Sequence, residues 1–185
     1  MANFKEWLTE LIAIYPNEAN RGKAFEYVCQ WFLQNDPAYR DVFLYVWMWH
    51  EWPHREQRGF GQDIGIDLVA ETFEGELWAI QAKFYQDTLP TSDIDSFLAV
   101  SGSRYFSHRL LISTSDVSQN GLKKLQNQEK PVACLFPQDL EKRSIDWLEF
   151  LGPQNQAQQT KNPGIMGKIG RGLNRLDRAF MGEAY

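Results

Sequence analysis

At 185 residues the chain is long enough for one domain of ordinary size with an appended tail. Hydrophobic residues make up 43% and aromatics 14%, seven Trp among them, which excludes disorder throughout. A formal net charge of -5 argues against a general coat for nucleic acid. It does not exclude an enzyme that touches DNA locally, because metal-binding carboxylates also make a chain acidic.

Phe4, Trp7, Leu8, Leu11, Ile12 and Tyr15 recur at helical spacing until Pro16 stops the pattern. Glu6 and Glu10 interrupt this segment, so no signal peptide is expected here. A second helix is predicted over residues 20–34, with Phe25, Val28, Cys29 and Phe32 facing inward. Glu26 falls about 100° around from Phe25, at the edge of that face, from which it can point into a cleft. Residues 42–49 are β-branched and aromatic and read as a buried strand. This longest apolar run is far short of the roughly 20 residues of a membrane helix. Cys29 and Cys134 match no paired-thiol or zinc spacing and read as small apolar residues in a reducing compartment. A soluble, cytoplasmic protein without a membrane partner is expected.

Residues 50–62, with a proline, two glycines and many charges, predict an exposed loop. Strands follow at 66–72 and 76–84, joined through Phe73-Glu74-Gly75 as a hairpin. Further on come a helix at 92–101, a buried strand at 108–113, a helix at 118–128, a strand at 132–136 and a last helix at 139–150. A hairpin followed by alternating strands and helices implies an α/β domain, a mixed central sheet flanked by helices. The domain is expected to occupy residues 1–152. Residues 153–163, rich in glutamine and broken by Asn162-Pro163-Gly164, read as a linker. Over 164–185, Ile165, Ile169, Leu173, Leu176 and Phe180 alternate with Lys168, Arg171, Arg175 and Arg178 as a basic amphipathic helix. Such a helix suits a membrane surface, DNA, a partner protein or its own domain.

Chemistry concentrates in the hairpin. Strand alternation puts Gln81 and Lys83 on one face and apolar Ile80, Ala82 and Phe84 on the other, so the first pair is expected to look out of the core. Folding about Glu74-Gly75 brings Asp67 roughly opposite residue 82, beside Gln81 and Lys83. An acid, an amide oxygen, waters and a phosphate oxygen are ligands a hard cation accepts. A lysine beside them can orient water and stabilise charge building on phosphorus. Glu26 could complete the metal site through a water, and Asp63 could steady the loop or add a carboxylate. The bland reading of Asp67 and Lys83 is a solvated surface ion pair.

Gly61-Gln-Asp-Ile-Gly-Ile-Asp67 and Trp78-Ala-Ile-Gln-Ala-Lys83 together resemble the Mrr-like branch of the PD-(D/E)XK nucleases, in which glutamine replaces the acid before the lysine. Gly22-Lys-Ala-Phe-Glu26 resembles that family's first helix, and Arg109-Leu-Leu-Ile-Ser-Thr114 its later core strand. Val46-Trp-Met-Trp49 with Trp52, Ile94-Asp-Ser-Phe97 and Ser144-Ile-Asp-Trp147 resemble most closely the N-terminal nuclease domain of type ISP restriction–modification enzymes. The resemblance implies a restriction-endonuclease-like core and a Mg²⁺-dependent endonuclease, with Mn²⁺ as a substitute. It implies catalytic roles for Glu26, Asp67, Gln81 and Lys83, with Asp67 and Gln81 on the metal. Implied partners are double-stranded DNA, a second copy on DNA, and helicase and methyltransferase modules in cis or trans. No Gly-x-x-x-x-Gly-Lys-Ser/Thr phosphate loop occurs in these 185 residues. That leaves a free-standing nuclease, a domain active only within a larger ATP-driven enzyme, or a non-catalytic DNA-binding module of the same fold.

His50-Glu51-Trp52-Pro53-His54 matches the zinc-protease string. That chemistry needs both histidines on one continuous helix, which Pro53 opposes. The tryptophans of this loop are instead expected near DNA.

Overall fold

The computed structural model describes residues 3–53, 55–61 and 65–150. Asp63, the expected linker (153–163) and the expected basic helix (164–185) lie outside the described residues.

Helix α1 (Phe4–Ile14) begins at Asn3, whose side chain accepts from the Glu6 N–H while the Glu6 carboxylate accepts from the Asn3 N–H. This reciprocal cap satisfies two otherwise orphaned donors. Helix α2 (Glu18–Asn35) starts two residues before the expected position because Asn17 caps it. Phe25, Val28, Cys29 and Phe32 are all buried, as their spacing requires, and Glu26 is half-buried.

Five strands follow: β1 (Phe43–Met48), β2 (Leu68–Thr72), β3 (Leu77–Lys83), β4 (His108–Ser113) and β5 (Ala133–Leu135). They lie in chain order, with β1–β2 and β2–β3 antiparallel and β3–β4 and β4–β5 parallel. This is the expected mixed sheet. Gly75, at φ 82, makes the hairpin turn at which its N–H donates to the Thr72 carbonyl. Helices α3 (Asp95–Ser101), α4 (Gln119–Gln126) and α5 (Pro137–Glu141) complete the fold.

Strand alternation divides the core in two. Leu68, Ala70, Ile80, Ala82, Leu110 and Ile112 join the cluster built on α1 and α2, whereas Val69, Leu77, Ala79 and Leu111 join one with Phe97, Leu98 and Leu125. Both faces of the central strands are covered, so β4 carries successive buried apolar residues at Leu110, Leu111 and Ile112. Among the described residues no helix is long and apolar enough to cross a membrane.

Three local expectations change. The helix expected at 92–101 begins as a 3-10 turn, Thr91–Ile94, before α3 starts at Asp95. The helix expected over 139–150 is only α5, followed by a separate 3-10 turn, Trp147–Glu149. Asp146 caps that turn by accepting from the Leu148 N–H. Trp147 is thereby driven into the core against Phe4, Trp7 and Phe32. Finally, Trp49 and Trp52 turn inward and pack with Phe60, so the indoles are core rather than a DNA-facing surface. Residues Trp49–Glu51 form a 3-10 turn and Trp52 is extended, so His50 sits on no metal-binding helix. His54 lies outside the described residues.

Candidate functional site

The hairpin ends where the antiparallel and parallel halves of the sheet meet. Leu68 pairs with Ile80, so the register carried one residue further sets Asp67 against Gln81, one position from the expected partner. Asp67 straddles that glutamine. Its N–H donates to the Ile80 carbonyl at 3.0 Å, and its Oδ2 accepts from the Ala82 N–H at 2.8 Å. The side chain thus takes over an acceptor role that backbone would fill in a continuing ladder. The Asp67 carbonyl in turn accepts from the Trp49 N–H at 2.7 Å. With main chain and carboxylate both tied, the acid has little freedom.

Gln81 departs from expectation. It is only 1% exposed, not turned outward, because β3 is an interior strand and the face that carries Ala79 and Gln81 is roofed by α3. Its Oε1 is buried and has no hydrogen-bond partner among the described residues. A buried acceptor without a donor costs on the order of 1–3 kcal/mol, and an oxygen-seeking ligand removes that cost. Lys83 follows on the same side, half-buried at the end of the strand.

Two depressions meet here. Gly65, Asp67, Gln81, Lys83, Ser96 and Val100 line one, on the α3 side. The other, on the α2 side, is lined by Glu26 together with Asp67 and Lys83. Asp67 and Lys83 therefore form the ridge between them. Glu26 reaches this second space from α2 and is held by Lys23 Nζ at 2.6 Å. Burial and the neighbouring Glu26 carboxylate raise the Asp67 pKa to about 7, although the Ala82 N–H, Lys83 and Lys23 oppose the shift. A buried acid whose charge is further disfavoured by a neighbouring carboxylate marks a place that a cation would stabilise.

Among the described residues no cluster of three His, Cys, Asp or Glu side chains forms a metal site. The oxygen donors here are instead two carboxylates and the orphaned amide, a hard set suited to Mg²⁺ or Mn²⁺ and unsuited to a thiophilic metal. The residues fit such an ion. The structure brings together all four expected residues, Glu26, Asp67, Gln81 and Lys83.

Gly65 was not singled out from sequence. Its φ of 77° brings the chain against α3 so closely that an added Cβ would lie 2.7 Å from Ser96 Oγ and 3.0 Å from Phe97 N. Its place two residues before Asp67, in a Gly-x-Asp string, is the only local signal.

Residues 34–157 match the model of a family described as restriction endonuclease. The chain belongs to that family. Among solved structures, this restriction endonuclease domain is similar to the ATP-dependent type ISP restriction–modification enzyme LlaBIII bound to DNA. Identity there is 35% and the TM-score 0.62, over 77% of this chain and 9% of that one. The chain therefore spans a small part of that enzyme's length. The MspJI restriction endonuclease in complex with a 27-mer oligonucleotide shares the fold, with a TM-score of 0.50 at 16% identity over 76% of this chain and 31% of its own. No curated protein matches. The Mrr-like, type ISP resemblance read from the motifs is thus met by both family and fold.

Proposed function

We propose that this domain cleaves double-stranded DNA by metal-assisted hydrolysis, with Asp67 and Gln81 Oε1 as protein ligands of Mg²⁺ and Glu26 acting through a water. The observation that carries this reading is the unpartnered, buried Gln81 Oε1 beside an Asp67 carboxylate fixed by the Ala82 N–H. A bound divalent ion supplies Lewis acidity toward a phosphate oxygen and lowers the pKa of a bound water. Asp67 must give up its proton to serve there, and Lys83 favours that ionised form. The Lys83 ammonium also stands at the ridge where a phosphate would rest, positioned to orient the attacking water and to stabilise negative charge developing on phosphorus. DNA as substrate is supported by the likeness to a DNA-bound type ISP enzyme, and that likeness also suggests motor and methyltransferase modules as partners.

Supercoiled plasmid incubated with the protein and Mg²⁺ is the test. Nicking is expected, with complete loss in EDTA and recovery in Mn²⁺. Lys83→Ala should reduce the rate by about 10²–10³-fold, and Asp67→Ala should abolish it while circular dichroism stays that of the parent. Nicking that survives Asp67→Ala would remove the metal site from its assigned place.

A further inference from the structure

Arg21 is a buried charge that the cleavage chemistry does not use. It is 6% exposed and has only neutral partners: its Nη1 donates to Gln86 Oε1 at 2.8 Å and its Nη2 to the Pro16 carbonyl at 3.2 Å. The guanidinium stacks over the Phe84 ring at 5.6 Å. Its Nε is buried without a hydrogen-bond partner, and no carboxylate among the described residues pairs with it. A desolvated cation normally has an anion beside it. Here the guanidinium lines the groove that also holds Glu26, Asp67 and Lys83. Gly22 forms part of the same groove wall, and a Cβ built on it would meet nothing within 4 Å. Glu18 and Asp87 stand at the rim. Both are solvent-exposed and screened, whereas Arg21 lies within the wall, where a charge is screened less.

We infer that Arg21 is a second phosphate-binding residue, holding a DNA phosphate next to the scissile one along the groove between α2 and residues 84–90. The inference rests on the nuclease reading and deepens it: Lys83 and the metal ligands take the reacting phosphate, while Arg21 takes a neighbour and sets the strand's direction over Gly22. A guanidinium offers a planar fork suited to phosphate oxygens, and two of its donors are already spent on fixing its orientation.

The experiment follows binding of a fluorescent 16-base-pair duplex by the full chain, with Ca²⁺ in place of Mg²⁺, across a KCl series. Arg21→Gln is expected to weaken binding about tenfold and to lower the slope of log affinity against log salt by about one, the signature of one lost phosphate contact. Gly22→Glu, which has room and suits a helix, should keep the parent melting temperature and weaken binding at least as much. In the parent protein the Arg21 Nε–H resonance should move on adding duplex, and to a lesser extent on adding inorganic phosphate. An Arg21→Gln variant that only melts earlier with an unchanged salt slope overturns the inference, as does Gly22→Glu binding like the parent. If the parent cleaves plasmid yet both variants bind normally, the subsite alone falls. If the parent neither binds nor cleaves, the nuclease reading falls with it.

Discussion

Asp67 is pulled in two directions, and its proton reports the balance. Burial and Glu26 drive its pKa up to about 7, yet the metal-ligand role proposed for it requires the ionised form. Mn²⁺ affinity, measured by calorimetry, should therefore fall about tenfold per pH unit below roughly pH 7 and level off above it, following one linked proton. Glu26→Gln removes a repelling charge and should move that profile to lower pH; an unmoved profile would show that Glu26 does not face Asp67. The same shift has a stability consequence of opposite sense to the usual carboxylate. The folded acid holds its proton more tightly than the unfolded one, so the penalty is absent below the unfolded value of 3.8 and grows until pH reaches about 7. Asp67→Asn should accordingly raise the metal-free melting temperature by about a few degrees at pH 8, with the gain shrinking toward pH 4. Much of this site is legible in sequence, because strand alternation and a hairpin turn bring residues 67, 81 and 83 together without tertiary knowledge. The burial of Gln81 was not legible. A polar residue between apolar neighbours reads as solvent-facing, and only the packing of α3, a segment distant in sequence, makes that face interior.

At the scale of elements, local chemistry and tertiary packing each decide different boundaries. Strand β4 occupies the predicted residues because its apolar run has a single reading, and Asn3 and Asn17 cap the helices before their first apolar turns. The segment 139–150 breaks after α5, and the separate turn at 147–149 seats the Trp147 indole in the aromatic cluster. Between β1 and β2 the decisive residue is Gly65, which combines a left-handed φ of 77° with contact against α3. Gly65→Ala meets both obstacles and should cost about 1–3 kcal/mol in chemical denaturation. Cleavage should fall too, because the displaced loop carries Asp67. Gly75 is the control: its φ of 82° is equally strained for alanine but the space around it is open. Gly75→Ala should cost only about 1 kcal/mol and leave cleavage intact. Equal losses of activity in the two variants would deny Gly65 any role in placing the acid.

For the whole molecule, the described residues close on themselves through contacts no local pattern announces. Trp7 Nε1 donates to the Phe150 carbonyl at 2.9 Å across 143 positions of sequence, and Trp31 stacks on Phe150 with 5.8 Å between rings. Helix α2, which carries Glu26 and Arg21, is thus clamped between α1 and the turn at 147–149. The described residues bring Asp67, Gln81 and Lys83 together at one place, and in the proposed mechanism one such centre would break one strand. A duplex break then requires two copies or two visits. On supercoiled plasmid the open-circular form should appear first, at a rate proportional to protein concentration. The linear form should follow at a rate that rises with the square of concentration if two copies meet on DNA. The chemistry proposed for the site uses water and a divalent ion, so nicking by this chain should proceed without ATP, even though LlaBIII, of which it matches 9%, is an ATP-dependent enzyme. Agarose gels of a protein titration, with and without ATP, measure both. Linear product arising in first order without an open-circular precursor would mean that the centres are already paired before DNA is met, and a strict need for ATP would place control of cleavage outside the geometry of Asp67, Gln81 and Lys83.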